Sequence, residues 1–321
     1  MNKVRDIGPE HVSAEPGIFY RDLEKRTLAE SGALIPSYPA SRELCALGGM
    51  IGNNSGGELT LRYGKTSRYV ESLDVVLSDG SKVLLKPLSQ TELAQKEALQ
   101  TLEGSIYRGA HDLILNNQTL INESRPTVSK NSAGYALWDV WDEALGMFDL
   151  TKLIVGSQGT LGIVTAARLK LVKLKKHRAM VVIFLNDIHD LPDVVHRVMK
   201  HDPESFESYD DHTFKLAVRF MPQIISHLGL RMMVKLGLAF LPEMWMVATG
   251  GVPKLVLMAE FAEDTPEAAR DKAREARVSL QGLPVRTKLA LGEMDAKKYW
   301  IIRRESFALL RKNLRGMYAS P

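Results

Sequence analysis

Short runs rich in β-branched and aliphatic residues mark the first half of the chain. Residues 163–172 alternate apolar and polar positions, which is typical of a half-buried β-strand. We expect one face of that strand to carry Ile163, Thr165, Ala167, Leu169 and Leu171. Residues 73–77 and 82–85 flank an Asp-Gly pair, and this arrangement predicts a β-hairpin.

Helical stretches lie between these runs. Residues 1–47 read as a short strand, a helix at 20–31 and a loop that Pro36 and Pro39 punctuate. Two further helices are predicted at 91–102 and 105–116.

The second half changes to strands that alternate with helices. Strands are predicted at 180–185 and 255–261, and helices at 191–201 and 295–314. A third helix begins after Thr265 as its N-cap, has proline as its first residue and runs to about residue 280. The alternation favours an α+β layer domain of split-βαβ type. We therefore divide the chain into domains 1–175 and 176–321.

The longest apolar stretch, residues 220–247, is too interrupted to span a bilayer. The residues that interrupt it are His227, Arg231, Lys235, Pro242 and Glu243. Helices packed in a domain core are the first interpretation. The second is a surface that touches a membrane or a partner through Met232, Met233, Met244 and Met246.

Composition narrows the functional classes. The 321 residues are 45% apolar and 25% charged, with a net charge of only +4, as in an ordinary globular protein. The basic run at 173–178 reads as a linker, and nothing resembles a nucleic-acid-binding surface. Cys45 is the only cysteine, which excludes an internal disulfide and an iron–sulfur centre within these residues. With no signal peptide visible, we expect a cytoplasmic protein, with peripheral association at the inner membrane face as the alternative.

Two glycine-rich segments carry the clearest chemical signal, at residues 46–57 and 155–164. Glycine is costly in ordered structure, so its density indicates positive φ angles or close approach to a flat, bulky ligand. A nucleotide cofactor is such a ligand, because its phosphates accept hydrogen bonds from bare backbone N–H groups.

Other motifs are excluded by their spacing. Gly64-Lys65-Thr66 resembles the end of a Walker A loop, but Leu59 stands where that motif needs glycine. The second segment has the spacing Gly-x-x-Gly-x-x-Gly, which differs from the Rossmann pattern. No serine-hydrolase elbow is present, and the eight histidines form no pattern that completes a metal site, so we predict no metal.

Several blocks in sequence order resemble one family. Residues 48–57, 61–64, 69–70, 75–80, 130–135 and 156–164 resemble the PCMH-type FAD-binding domain of vanillyl-alcohol-oxidase-type enzymes. Residues 300–306 resemble a block of the ferredoxin-like substrate cap. The resemblance is to FAD-linked oxidases and dehydrogenases, including D-lactate dehydrogenases of the cytochrome type, glycolate oxidase subunits and 2-hydroxyglutarate dehydrogenases.

The resemblance implies FAD as the cofactor and a role for individual residues. The first segment would line the isoalloxazine and ribityl-pyrophosphate part through Gly48, Gly49, Gly52, Asn53, Asn54, Ser55 and Gly56. The second would contact the adenosine half through the backbone of Gln158, Gly159, Thr160, Leu161, Gly162, Ile163 and Val164. The family usually has Glu at position 158, a change that a backbone contact should tolerate. Arg303 would bind a substrate carboxylate, since a guanidinium can grip it in bidentate fashion. A surface arginine beside Arg304 is the alternative.

The implied activity is oxidation of a small 2-hydroxy acid, most like D-lactate, by hydride transfer to the flavin. A quinone, a cytochrome or an iron–sulfur protein would receive the electrons. The resemblance also leads us to expect family parts outside these residues: an N-terminal pyrophosphate loop, and a C-terminal segment with the base histidine. A chain of a split flavoenzyme, whose FAD subdomain comes from a separate chain, and a catalytically inactive remnant are therefore alternatives. Oxidation of an alcohol, aldehyde or sugar is a weaker one.

Overall fold

A computed structural model describes residues 1–128, 130–213, 215, 251–292 and 295–303. The chain forms two compact units, Met1–Leu174 and Lys175–Pro321. The predicted stretch 220–247, residues 304–314 of the last predicted helix and residues 304–306 of the cap block lie outside the described residues.

The first unit is built on a five-stranded antiparallel sheet in the order β1-β2-β8-β3-β4. A small three-stranded sheet has the order β5-β7-β6. The elements of this unit are β1 (Val4–Ile7), β2 (His11–Ala14), α1 (Tyr20–Ser31), α2 (Leu47–Gly52), α3 (Thr60–Tyr63), β3 (Val70–Val76), β4 (Lys82–Leu85), β5 (Leu88–Ser89), α4 (Gln90–Glu97), α5 (Leu102–Asn116), α6 (Gln118–Glu123), β6 (Trp141–Asp142), β7 (Met147–Phe148), α7 (Thr151–Ile154) and β8 (Ile163–Lys170).

Local turn chemistry confirms the predicted hairpin between β3 and β4. Gly80 has φ +85°, and the Asp79 carboxylate accepts a hydrogen bond from the Ser81 N–H at 2.9 Å. Helix α1 has the predicted bounds, and it ends at Gly32 in the left-handed conformation.

The prediction of one helix over 91–102 was wrong at its C-terminal end. Helix α4 stops at Glu97, and α5 begins at Leu102, three residues before the predicted start. The reason is a second N-cap, because the Thr101 side chain accepts a hydrogen bond from the Gly104 N–H at 3.4 Å.

A β-bulge corrects the predicted face of β8. The register against β3 shifts between the pairs Asp74↔Ala166 and Val75↔Val164, which leaves Thr165 as an extra residue. The buried face therefore continues through Ala167, Leu169 and Leu171, whereas Ile163 is 62% exposed.

The second unit contains a four-stranded antiparallel sheet in the order β10-β11-β9-β12. Its central strands β9 and β11 are buried on both faces, with α8 and α9 packed on one face and the helical residues 295–303 on the other. Thr265 caps α9 as predicted. The elements are β9 (His177–Leu185), α8 (Leu191–Met199), β10 (Ser205–Asp210), β11 (Leu255–Glu263), α9 (Pro266–Ser279) and β12 (Arg286–Ala290).

None of the described helices combines the length and the apolar character needed to cross a bilayer.

Candidate functional site

The two glycine-rich segments, about a hundred residues apart in sequence, lie side by side in the first unit. The Gly156 N–H donates to the Ile51 carbonyl and the Gln158 N–H donates to the Gly52 carbonyl, both at 2.9 Å. A Cβ atom on Gly52 would stand 3.7 Å from the Gln158 Cα. Backbone contacts therefore join the end of α2 directly to the second segment.

Positive φ angles shape both segments. Asn54 turns the chain after α2 with φ +45°, and in the second segment Gly156, Gln158 and Gly159 have φ +95°, +54° and +81°. Gln158 is notable among them, since residues with a side chain seldom adopt this conformation. These angles explain why the second segment needs its glycines.

Asn54 and Ser55 are buried and anchor the first segment to the fold. The Asn54 Oδ1 accepts a hydrogen bond from the Ser67 N–H at 3.0 Å, and its carbonyl accepts one from Ser132 Oγ at 3.0 Å. The Ser55 carbonyl accepts hydrogen bonds from the N–H and the hydroxyl of Thr66. Both residues hold neighbouring loops in place.

Three of the predicted cofactor glycines pack against the protein itself. A Cβ atom on Gly48 would lie 2.8 Å from the Pro16 Cβ, and one on Gly162 would lie 2.7 Å from the Val75 Cγ1. A Cβ on Gly56 would overlap the Thr60 hydroxyl. Internal packing alone accounts for glycine at these positions.

Gly49 and Gly159 differ, because an added Cβ would meet nothing within 4 Å at either position. Both are exposed, as is Asn53. The second segment continues this surface with exposed Gln158, Thr160, Leu161 and Ile163 and half-buried Val164. We call Gly49, Asn53 and residues 158–161 the glycine face.

The loop at residues 130–135 is fastened to both segments. Ser132 Oγ donates to the Asn54 carbonyl, and the Tyr135 and Thr160 hydroxyls are hydrogen-bonded at 2.8 Å. The Lys65 ammonium donates to the Asn131 carbonyl. Burial, and to a smaller extent the nearby Lys130 charge, lower the pKa of Lys65, while Asp139 opposes this shift.

Two polar groups that the sequence analysis did not single out lie just after the first segment, on α3. The Arg62 Nη1 and the Thr60 Oγ1 are buried without a hydrogen-bond partner among the described residues. A buried polar group without a hydrogen-bond partner lowers the stability of the folded state. The sequence signal was present, since Arg62 belongs to one of the blocks that resemble FAD-binding domains.

An open glycine surface with exposed apolar side chains beside it fits a ligand that combines flat rings with polar groups. FAD is such a ligand. The residues on this surface that would hold it are Gly49, Asn53, Gln158, Gly159 and Thr160, with Leu161 and Ile163 suited to contact a ring.

Arg303 lies in the second unit, on the helical residues 295–303. Its Nε and Nη2 donate to one oxygen of Glu207, at 3.3 and 3.1 Å. One turn earlier, Trp300 Nε1 donates to the Glu260 Oε1 at 3.4 Å. Arg303 is thus part of an ion pair, which the sequence analysis did not anticipate.

Asp210, Asp211 and His212 offer ligand atoms within 4.8 Å of one another. The three residues are consecutive in a sequence for which no metal site is predicted. Asp211 is also held by Lys215 at 2.7 Å, and exposed acidic groups are common without a metal ion. The cluster alone therefore assigns no metal site.

Comparison with known proteins decides the family. Residues 1–85 match the family model described as an FAD binding domain, and residues 174–320 match the one described as the C-terminal domain of FAD-linked oxidases. The chain belongs to the FAD-linked oxidase family. FAD is the cofactor that both descriptions name, and the expected fold class, a PCMH-type FAD-binding domain followed by a C-terminal α+β domain, is confirmed.

Relatives of this FAD-linked oxidase chain bear names of 2-hydroxy-acid enzymes. It is 33% identical to D-2-hydroxyglutarate dehydrogenase of Escherichia coli (strain K12) over 184 residues, which cover 56% of the chain and 18% of that enzyme. It is 32% identical to glycolate oxidase subunit GlcD of Bacillus subtilis (strain 168), with coverage of 54% and 26%. The chain spans about a fifth of the length of the D-2-hydroxyglutarate dehydrogenases it matches.

A solved structure supports the fold. Alkyldihydroxyacetonephosphate synthase superposes with a TM-score of 0.62 at 17% sequence identity. The alignment covers 97% of this chain and 45% of the synthase. At this identity the likeness shows the fold alone.

Proposed function

We propose that this chain takes part in the FAD-dependent oxidation of a small 2-hydroxy acid. The observation that carries the proposal is the glycine face, where two distant segments meet and leave Gly49 and Gly159 open. The names of the relatives support the substrate class, since they include D-2-hydroxyglutarate dehydrogenase, glycolate oxidase and D-lactate dehydrogenase.

The roles of this chain's residues follow from their surroundings. Gly49 and Gly159 let the cofactor approach the backbone, and Asn54 and Ser55 keep that backbone rigid from beneath. When bound, FAD supplies the acceptor for a hydride from the α-carbon of the substrate. We assign no residue as the base that takes the hydroxyl proton.

Arg303 is proposed to bind the substrate carboxylate. Its guanidinium is half-buried and held by Glu207, so it is oriented before a ligand arrives. The acceptor of the electrons is proposed to be a quinone, a cytochrome or an iron–sulfur protein. A cytochrome is favoured by the name of one relative, the mitochondrial D-lactate dehydrogenase [cytochrome] of Arabidopsis thaliana.

The test begins with FAD. The purified chain is titrated with FAD, passed through gel filtration and, if coloured, mixed anaerobically with D-lactate, glycolate or D-2-hydroxyglutarate. Retained flavin that is bleached by at least one of these acids is the expected result. A chain that never retains flavin contradicts FAD binding by this chain on its own, and it favours the inactive remnant or a split enzyme that needs a separate chain.

Matched variants show whether the glycine face is responsible. Gly49→Leu places a bulky side chain on the face, and we expect it to weaken FAD binding by about 100-fold, equivalent to two lost contacts of about 1.4 kcal/mol each. Gly80→Asn is the control, because Gly80 is an equally open glycine in the β3–β4 turn, where Asn is tolerated. Equal FAD affinity in both variants would place the cofactor elsewhere.

A further inference from the structure

Glu207 and Arg303 form a defined contact in the second unit. Both Nε and Nη2 of Arg303 point to the Glu207 Oε2, at 3.3 and 3.1 Å. The Arg303 and Glu207 side chains are 28% and 24% exposed, so water screens the pair only in part. A guanidinium held along its Nε–Nη2 edge has a fixed plane, because the two N–H groups are part of one rigid fork.

Packing around Glu207 and Arg303 restricts the orientation of the guanidinium. Glu207 lies on β10 opposite Met258 of β11. Met258 belongs to the same buried cluster as Trp300, which packs the helical residues onto this sheet. Trp300 and Arg303 are three residues apart, so they share one helix face, and each donates to a carboxylate on the sheet. The helix is therefore fixed to the sheet at two successive turns.

We propose that Glu207 is a positioning residue that sets how Arg303 receives a substrate carboxylate. This inference rests on the proposed function, and it adds a residue to which no role has been given. Glu207 fixes the plane of the guanidinium, and it also places a negative charge about 3 Å from the group that binds the anion. The first effect favours binding in one orientation, whereas the second weakens the affinity for every anion.

The two effects respond differently to substitution. Glu207→Gln keeps an oxygen that can accept from Arg303 but removes the charge, so carboxylates should bind more tightly. A dicarboxylate should gain more than a monocarboxylate, because each of its charges is repelled by Glu207. Glu207→Ala removes the charge and the contact together, and we expect the lost orientation of the guanidinium to outweigh the relieved repulsion, so binding should weaken. Glu207→Asp keeps the charge with a shorter reach and should lie nearer to the wild type.

The experiment measures ligand binding at Arg303 itself. The Arg303 Nε–H resonance, assigned by its loss in Arg303→Lys, is followed by NMR during titration with D-lactate and with D-2-hydroxyglutarate. We expect Glu207→Gln to lower the Kd for D-lactate by about 3-fold to 10-fold, and that for D-2-hydroxyglutarate by more. Glu207→Ala should raise the Kd for D-lactate by about 10-fold.

Glu71→Gln is the matched control. Glu71 accepts from the Arg168 Nε at 3.0 Å, and this more exposed pair bridges two strands of the first unit, with side chains 30% and 42% exposed. It should leave both Kd values unchanged. Melting temperatures identify any variant that fails to fold. If Glu207→Ala does not fold, the Kd values of Glu207→Gln and Glu207→Asp are compared instead.

Three results would overturn the inference: equal Kd values for wild type and Glu207→Gln, equal weakening by Gln and Ala, or an Arg303 resonance that neither acid shifts. Flavin reduction in the same samples separates this outcome from that of the proposed function. Reduction without a shift at Arg303 contradicts the inference and the role proposed for Arg303, and it leaves the proposed oxidation of a 2-hydroxy acid standing. A Glu207-dependent shift without reduction by any 2-hydroxy acid contradicts the proposed function alone.

Discussion

The two units present their candidate residues in different ways. In the first unit the open positions of the glycine face, Gly49 and Gly159, offer bare backbone, and the buried Asn54 ties that segment to neighbouring loops through hydrogen bonds. In the second unit the candidate group is a side chain, Arg303, held by another side chain, Glu207. From this difference we predict which substitutions each unit should tolerate. The first should be sensitive to added Cβ atoms, and the second to the loss of charge.

The largest effect is expected from glycines that pack inside the first unit. A Cβ on Gly57 would overlap the Tyr38 carbonyl oxygen and lie 3.2 Å from the Pro39 Cα, both of them backbone atoms. Gly57→Ala should therefore lower the free energy of unfolding by about 3 kcal/mol. Gly49→Ala, in the interior of α2 with nothing near its Cβ, should raise it by about 0.5 kcal/mol.

The free energy of unfolding of both variants is measured by urea unfolding. Hydrogen exchange at α2 then reports the local stability of that helix. If Gly57→Ala and Gly49→Ala lower the free energy of unfolding equally, then the space around the Cβ position does not distinguish packed glycines from those on the glycine face. The contrast between the units would then lose its basis in the first unit.

The next effect tests buried charge in the second unit. Glu204 is fully buried and accepts from the half-exposed Arg178 Nε at 3.1 Å. Glu204→Gln should lower the free energy of unfolding by about 2 kcal/mol, which is less than the roughly 3–5 kcal/mol for breaking a fully buried pair, because Arg178 can regain water. Glu71→Gln, from the exposed pair with Arg168, should cost less than about 1 kcal/mol. Similar losses for the two variants would show that burial does not set the strength of these pairs.

A smaller effect is expected at the start of α9. The Thr265 hydroxyl accepts from the Ala268 N–H at 3.2 Å, so Thr265→Ala should cost about 1 kcal/mol. Thr265→Ser keeps the hydroxyl and should be nearly neutral. Thermal unfolding of the two variants checks the difference. If Thr265→Ala loses more stability than Glu204→Gln, hydrogen bonds to backbone N–H groups contribute more to the second unit than its buried ion pair does.

The smallest effect concerns pH. Hydrogen bonds from Lys86, and then from Ser89, lower the pKa of Glu92 from 4.5 to about 2. A carboxyl whose folded-state pKa is depressed contributes stability above pH 4.5, and the contribution is lost as pH falls from 4.5 towards 2. The difference in melting temperature between wild type and Glu92→Gln should shrink through that window. Glu92 and Ser89 form a capping box at the start of α4, in which each side chain accepts a hydrogen bond from the backbone N–H of the other. A constant difference would contradict the role of the ionised carboxylate in this cap.

Local signals in the sequence were sufficient for several elements. The Asp-Gly turn, the bounds of α1 and the Thr265 cap each depend on a few neighbouring residues, and all three are confirmed. The bulge at Thr165 and the early end of α4 were missed, since the first is set by pairing with β3 and the second by a competing cap at Thr101.

The candidate site was less accessible to sequence reasoning. The glycines of the first segment look alike in the sequence, and only the fold separates Gly48, which packs on Pro16, from the open Gly49. The contact between Glu207 and Arg303 joins residues 96 positions apart and has no local signature. The family blocks indicated where the site is, but they could not say which residues contact the protein itself.

The most direct test of the account is hydrogen exchange of the whole chain with and without FAD, read by mass spectrometry for each peptide. We predict that FAD slows exchange in residues 46–57, 130–135 and 155–164 together, because these segments contact one another and form or border the glycine face. The β3–β4 hairpin should be unchanged. Unchanged exchange in all three segments with FAD bound, or protection confined to other parts of the chain, would contradict the assignment of the glycine face as the FAD site.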